Sequence, residues 1–151
     1  MGIKIGDKIP DFILKDQDKN EVKLSDFKGK KVLLSFHPLA WTAVCANQMK
    51  ALEDNMETFN QLNTVPLGLS IDQLFSKSAW AKELGIKNLR VLADFWPHGG
   101  VAKRLGLFRE NEGISERANV IVDENGKIVF IKIYDIPELP DITEIIDFLK
   151  K

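Results

Sequence analysis

The order of apolar runs in this 151-residue chain predicts an α/β fold, with a central mixed sheet flanked by helices. Three observations carry that expectation. "KVLLSF" (31–36) and "TVPLGLSI" (64–71) are continuous apolar runs, the pattern of strands buried on both faces. An amphipathic stretch separates them, and a strand–helix–strand crossover makes the two strands parallel. Near the C-terminus, "RANVIVDENGKIVFIKIY" reads as two strands around Asn125-Gly126, a hairpin and so an antiparallel pair.

The elements follow in order. "DFILKDQDKNEVKL" reads as two short strands around a turn at Asp18-Lys19-Asn20. After the first buried strand, apolar residues fall at Cys45, Met49, Leu52, Met56 and Phe59. That alternating spacing is one face of a single helix about four turns long. The second buried strand leads to a helix around 74–84, a short strand at 89–92 and a small helix near 101–105. The hairpin comes next. Residues 141–150 close the chain as a helix with Ile142, Ile145, Ile146 and Leu149 inward. The order βαβ, connecting segment, ββα is that of a thioredoxin-like fold, with an N-terminal hairpin and a central insertion added.

Composition narrows the function. The chain is 44% hydrophobic and 28% charged, as ordinary globular proteins are, and its length suits one domain over residues 1–151. Its 21 basic and 22 acidic residues are spread out, for a net charge of −1. No basic block argues for nucleic acid and no acidic tail for a solvating arm. The first residues, "MGIKIGDKIPDF", lack an apolar h-region and the myristoylation pattern, and "VLLSF" is too short to span a bilayer. The expected setting is cytoplasmic, without a membrane partner.

Cys45 is the only cysteine, so no internal disulfide is available. Free cysteines are often core residues, and Cys45 shares a stripe with Met49 and Leu52. Its position argues for chemistry. It stands in the first turn of its helix, just outside the carboxyl end of a buried parallel strand, where open α/β sheets place ligand crevices. Unpaired N–H groups and the helix dipole favour a thiolate there. The thiolate is the nucleophilic form, and a free thiol near pKa 8.5 is only about 3% ionised at pH 7. Pro38, Thr42 and Cys45 form P-x-x-x-T-x-x-C. Pro38 ends the strand, and Thr42 lies one turn before Cys45. A cap at Thr42 and a strand stop at Pro38 are the plain alternatives, compatible with chemistry.

These residues carry a family resemblance. The chain resembles the peroxiredoxins of the alkyl hydroperoxide reductase/thiol-specific antioxidant class over nearly its whole length. The likeness lies in "PDFILKDQDKNEVKLSDFKGKKVLLSFHPLAWTAVC", in "SID" and "DFWPHGGVAKRLGLF", and in "GISERANVIVDENGKIVF". P-x-x-x-T-x-x-C with a downstream Arg opening the strand before "VIVD" is a specific combination. "DFWPHGGVAKRLG" looks most like the one-cysteine, alkyl hydroperoxide reductase E-like branch.

The resemblance implies a thiol peroxidase, an antioxidant enzyme needing no metal or organic cofactor. Cys45 would attack the peroxide oxygen and become a sulfenic acid. Thr42 would hydrogen-bond the substrate oxygens, Pro38 would shield the thiolate, and Arg117 would activate the thiol and hold the peroxide. Backbone N–H groups of Val44 and Cys45 would complete the oxygen-binding pocket. The implied partners are a hydroperoxide, an external thiol reductant (a small thiol, or a thioredoxin-like or glutaredoxin-like protein) and a second copy in a homodimer.

Two departures stand out. Gln48 replaces a Glu common in the family, keeping a hydrogen bond to Arg117 without the charge. Lys50 stands where one branch has a resolving cysteine, so Cys45 can be recycled only by an outside thiol. Around the site, His37 and Trp41 are further candidate pocket residues. Trp41, Trp80, Phe95 and Trp96 are candidates for core or interface, and His98 lies in a turn that Pro97 and the glycines already explain. The competing functions are three. A thiol–disulfide oxidoreductase normally needs C-x-x-C, which Thr42 and Gln48 exclude. A cysteine hydrolase or transferase would use His37 or His98 as base. A non-catalytic redox-sensing or binding module would tolerate Cys45→Ser.

Overall fold

The computed structural model describes residues 2–151. Among the described residues nine strands are formed: β1 (Ile13–Lys15), β2 (Glu21–Lys23), β3 (Lys31–Phe36), β4 (Thr64–Ser70), β5 (Arg90–Ala93), β6 (Phe108–Arg109), β7 (Ile114–Ser115), β8 (Arg117–Val122) and β9 (Ile128–Tyr134). Five α-helices accompany them: α1 (Ala43–Asp54), α2 (Met56–Gln61), α3 (Leu74–Leu84), α4 (Gly100–Arg104) and α5 (Ile142–Leu149). Seven strands make one mixed sheet in the order β2-β1-β5-β4-β3-β8-β9. β3 pairs parallel with β4 and antiparallel with β8, so it lies at the sheet's interior with both faces covered.

Strand alternation divides the core. Val32, Leu34 and Phe36 of β3 join Leu67 and Leu69 of β4 and Ala118, Val120 and Val122 of β8 on one face. That face is covered by the N-terminal segment and by Val101 and Ala102 of α4. Leu33 and Ile121 point to the other face, against Met49 and Leu52 of α1, Phe59 of α2, Trp80 of α3 and Ile145 and Leu149 of α5. Burying each of these large side chains contributes about 1.5–3 kcal/mol. Gly68 of β4 lets α1 approach: a Cβ there would collide with the Met49 side chain.

The alternation also sets the site. Ser35 and His37 share the parity of Leu33, and Arg117 and Asn119 share that of Ile121. All four therefore belong to the helix-covered face. Phe36 is opposite Ala118, which brings Arg117 level with the end of β3.

Three details differ from the sequence reading. The expected four-turn helix is two helices meeting at Asn55, whose side-chain amide donates to the Ala51 carbonyl at 2.7 Å. Asn competes for backbone groups in this way and interrupts helices. The β8–β9 hairpin is wider than its Asn-Gly pair suggests. Asp123 Oδ1 accepts from the N–H groups of Asn125 and Lys127, and Gly126 takes φ 83°. In the central insertion, β6 and β7 form a short antiparallel ribbon that the sequence pattern did not signal.

Candidate active site

Cys45 is the third residue of α1, 1% exposed, at the carboxyl end of β3. The first backbone bond of this helix runs from Ala46 N–H to the Thr42 carbonyl at 2.9 Å. The N–H groups of Ala43, Val44 and Cys45 thus precede the intrahelical ladder, the ordinary condition of a helix start. They and the helix dipole make this end favourable for negative charge.

Arg117, the first residue of β8, approaches from the sheet and is 2% exposed. Its Nη1 lies 3.3 Å from Cys45 Sγ and donates to Gln48 Oε1 at 2.7 Å. Its Nε donates to the Ile136 carbonyl at 2.8 Å, so the guanidinium plane is fixed at two points. Gln48 is held in turn. Its Nε2 donates to Ser35 Oγ at 2.8 Å and to the Phe36 carbonyl at 3.1 Å. The amide suits this place because a carboxylate could accept from Arg117 but could not donate to Phe36.

Segment 37–42 joins β3 to α1. Pro38 is buried within it, while Thr42 is the exposed residue preceding α1. The Thr42 hydroxyl makes no cap; it donates to the Leu39 carbonyl at 2.8 Å and leaves its oxygen as an acceptor. Trp41 takes φ 71° and is 55% exposed, its indole N–H donating to Ser76 Oγ at 2.9 Å. It leans toward α3.

His37, a candidate pocket residue in the sequence, lies inside the core instead. It is completely buried, with Nε2 2.7 Å from Lys77 Nζ and its ring 5.2 Å from that of Trp80. The helix-covered face of the sheet continues one residue past β3, and α3 closes over it. His98 is a turn residue whose Nε2 meets the Gly113 carbonyl at 2.7 Å, between the rings of Phe95 and Phe108. Trp80 is core; Phe95 and Trp96 are exposed.

Sequence reasoning missed four residues here: Ser35, Ser70, Asp72 and Lys77. A lysine on a helix reads as surface, and nothing local marks Lys77 as inward. The available signal was its place three residues before Trp80, on the inward stripe of α3. No group of three or more His, Cys, Asp or Glu placed to hold a metal ion occurs among the described residues. Nor is any helix among them long and apolar enough to cross a membrane.

A thiol at a helix start, beside a fixed guanidinium and N–H groups outside the helical ladder, can act as a nucleophile on a substrate whose leaving group departs as an anion. Comparison with known proteins agrees with this chemistry. Residues 5–131 match the AhpC/TSA family. Alkyl hydroperoxide reductase E of Mycobacterium tuberculosis is 35% identical over 140 residues, covering 92% of this chain and 91% of that protein. Peroxiredoxin-2 of Mus musculus is 36% identical over 143 residues, 89% of this chain and 71% of that one. Among solved structures, AhpC of Enterococcus faecalis superposes with a TM-score of 0.90 at 26% identity, covering 99% of this chain and 92% of its own. The reduced 2-Cys peroxiredoxin of Plasmodium vivax gives 0.89 at 28% identity, over 98% and 81%.

Proposed function

The chain belongs to the AhpC/TSA family of peroxiredoxins, thiol-dependent peroxidases, and from that premise we propose how its own residues carry the reaction. The observation that carries the proposal is the Arg117 Nη1 to Cys45 Sγ approach of 3.3 Å at the start of α1. The Cys45 thiolate attacks the terminal oxygen of a hydroperoxide. An S–O bond forms as the O–O bond breaks, giving Cys45 sulfenic acid and an alkoxide or hydroxide that takes a proton to leave as alcohol or water.

Charge builds on the departing oxygen in that step. Arg117 and the N–H groups of Val44 and Cys45 are donors fixed before reaction, so their stabilisation costs no reorganisation. The Thr42 hydroxyl, its proton directed to the Leu39 carbonyl, offers an acceptor to the peroxide O–H. Pro38 keeps an N–H donor and water away from the sulfur. Gln48 holds Arg117 in place without neutralising it.

Recycling uses an external thiol, because Cys45 is the only cysteine. The sulfenic acid condenses with the thiol to a mixed disulfide and water, and a second thiol releases Cys45. A small thiol and a thioredoxin-like or glutaredoxin-like protein are the reductant classes that fit. The same reading takes residues 1–151 as one functional domain, working in the cytoplasm, where thiol reductants are available. It also takes the chain as a homodimer joined near Phe95 and Trp96, which are 44% and 81% exposed. Light scattering of the reduced protein checks the dimer; a monomer across a wide concentration range rules it out.

The test of the peroxidase reading is peroxide consumption with each reductant class in parallel, for the parent and Cys45→Ser. The parent consumes peroxide with at least one donor, and the serine variant folds but does not. Undiminished consumption by Cys45→Ser removes Cys45 from the mechanism.

A further inference from the structure

Lys77 has no part in the chemistry described so far, yet it is completely buried. Its Nζ lies 2.7 Å from His37 Nε2 and donates to Ser70 Oγ at 2.8 Å. Ser70 Oγ donates to Asp72 Oδ2 at 2.6 Å, and that same oxygen accepts from Ala40 N–H at 2.8 Å. Two branches therefore run from one ammonium group to residues 37 and 40. Between and just beyond them stand Pro38 and Thr42.

We propose that Lys77 is a positioning residue for peroxide reduction, holding segment 37–42 against α3 so that Pro38 and Thr42 are set at the Cys45 thiol. This rests on Cys45 being the reacting thiol and adds to that reading a residue that does not touch substrate. A buried ammonium is costly, and an apolar side chain on this inward stripe would fill the space without that cost. What the lysine supplies and an apolar residue does not is a three-donor head tied to residue 37 directly and to residue 40 through Ser70 and Asp72.

The ionic surroundings give the network a second property. An ammonium only donates, so His37 accepts at Nε2 and carries its own proton on Nδ1. That atom has no hydrogen-bond partner of normal geometry, and the nearby Ser35 carbonyl favours its protonation. Burial, followed by the Lys77 charge and that of Arg117, holds His37 well below its ordinary value, so the imidazole is neutral. Burial draws Lys77 down to about 7, against the opposing charges of Asp72 and the Cys45 thiolate. The groups facing Lys77 are thus His37 at the end of β3, Asp72 after β4, Cys45 on α1 and, beyond His37, Arg117 on β8. A charge on Cys45 favours the Lys77 ammonium, and that attraction ends as the lysine loses its proton.

The test measures the second-order rate of hydrogen peroxide reduction from pH 5.5 to 9 for the parent, Lys77→Met and Lys77→Gln. Lys77→Met removes the lysine's bonds to both branches, at His37 and at Ser70, and its rate falls between about 10- and 100-fold, the scale of a misplaced reacting group. The deficit is largest below pH 7 and shrinks above it, where the parent's lysine is neutral too. Lys77→Gln keeps a donor and recovers most of the high-pH rate without the pH-dependent part. In the unfolding midpoint of Lys77→Met the relief of a buried charge opposes the loss of the His37 and Ser70 hydrogen bonds, so the pH profile of the rate, not the midpoint, carries the test. Should Lys77→Met not fold, Lys77→Gln carries the pH comparison alone. A parent that reduces peroxide beside variants of equal rate and identical pH profile overturns the role of Lys77 and leaves Cys45 untouched. A parent that does not reduce peroxide overturns the underlying reading instead.

Discussion

Arg117 Nη1 donates to Gln48 Oε1 over 2.7 Å while lying 3.3 Å from Cys45 Sγ, so one nitrogen is shared between a neutral holder and the thiol. A neutral partner fixes the guanidinium without cancelling its charge. That charge stays directed at the sulfur.

Gln48→Glu is expected to lower both reactivity and stability. The introduced carboxylate draws Arg117 into a full ion pair and opposes the thiolate. It also cannot donate to the Phe36 carbonyl, so a buried hydrogen bond worth about 0.5–1.5 kcal/mol is lost. Denaturant unfolding together with the rate of Cys45 alkylation checks this; a variant as stable and as reactive as the parent contradicts it.

Arg117→Ala is expected to slow peroxide attack by roughly 10²–10³-fold, about 2.7–4 kcal/mol of barrier, as for the loss of one oxyanion-type donor. The structure adds that the Ile136 carbonyl and Gln48 lose a buried donor, so stability falls as well. Arg117→Lys separates the two, since it keeps the charge and gives up the planar fork. A parent-like rate in both variants would remove Arg117 from the site.

The buried pair makes stability depend on pH in a stated direction. Lys77 binds its proton up to about pH 10.5 when unfolded but only up to about 7 when folded. Between these values the unfolded chain holds more protons, so stability rises with pH and the cost of burial is greatest at and below 7. His37, lowered well below 6.5 in the fold, adds a further loss as pH drops through that value. Unfolding free energies measured from pH 5 to 10 should show the parent gaining on Lys77→Met above pH 7. Parallel curves would mean that Lys77 does not titrate as described.

Gly68→Ala tests the packing that seats α1. The added methyl meets the Met49 side chain, which is completely buried, and overpacking of this kind costs about 1–3 kcal/mol. Thermal unfolding reads the loss, and an unchanged midpoint would show that Met49 yields freely.

Much of this was legible from sequence because the informative residues act locally. The apolar run of β3, the Cys45–Met49–Leu52 stripe and Pro38–Thr42–Cys45 state their structure within a few positions. Arg117 was reachable through resemblance, and strand parity explains why it faces the thiol. What escaped depends on distant chain. Asn55 breaks the long helix through its own side chain, which the apolar spacing hides. Lys77 is inward only because His37, just past β3, and Ser70, the last residue of β4, both turn toward α3. The burial of His37 has the same origin.

The central claim is that Cys45 alone carries the oxidised intermediate, and mass spectrometry after one equivalent of peroxide addresses it most directly. The intact reduced protein should gain one oxygen, located on Cys45. Further peroxide without reductant should add a second oxygen and end turnover, as expected of a sulfenic acid with no partner thiol in its chain. Rapid, quantitative formation of a Cys45–Cys45 disulfide between two chains, or an unmodified Cys45 while peroxide is consumed, would contradict the account.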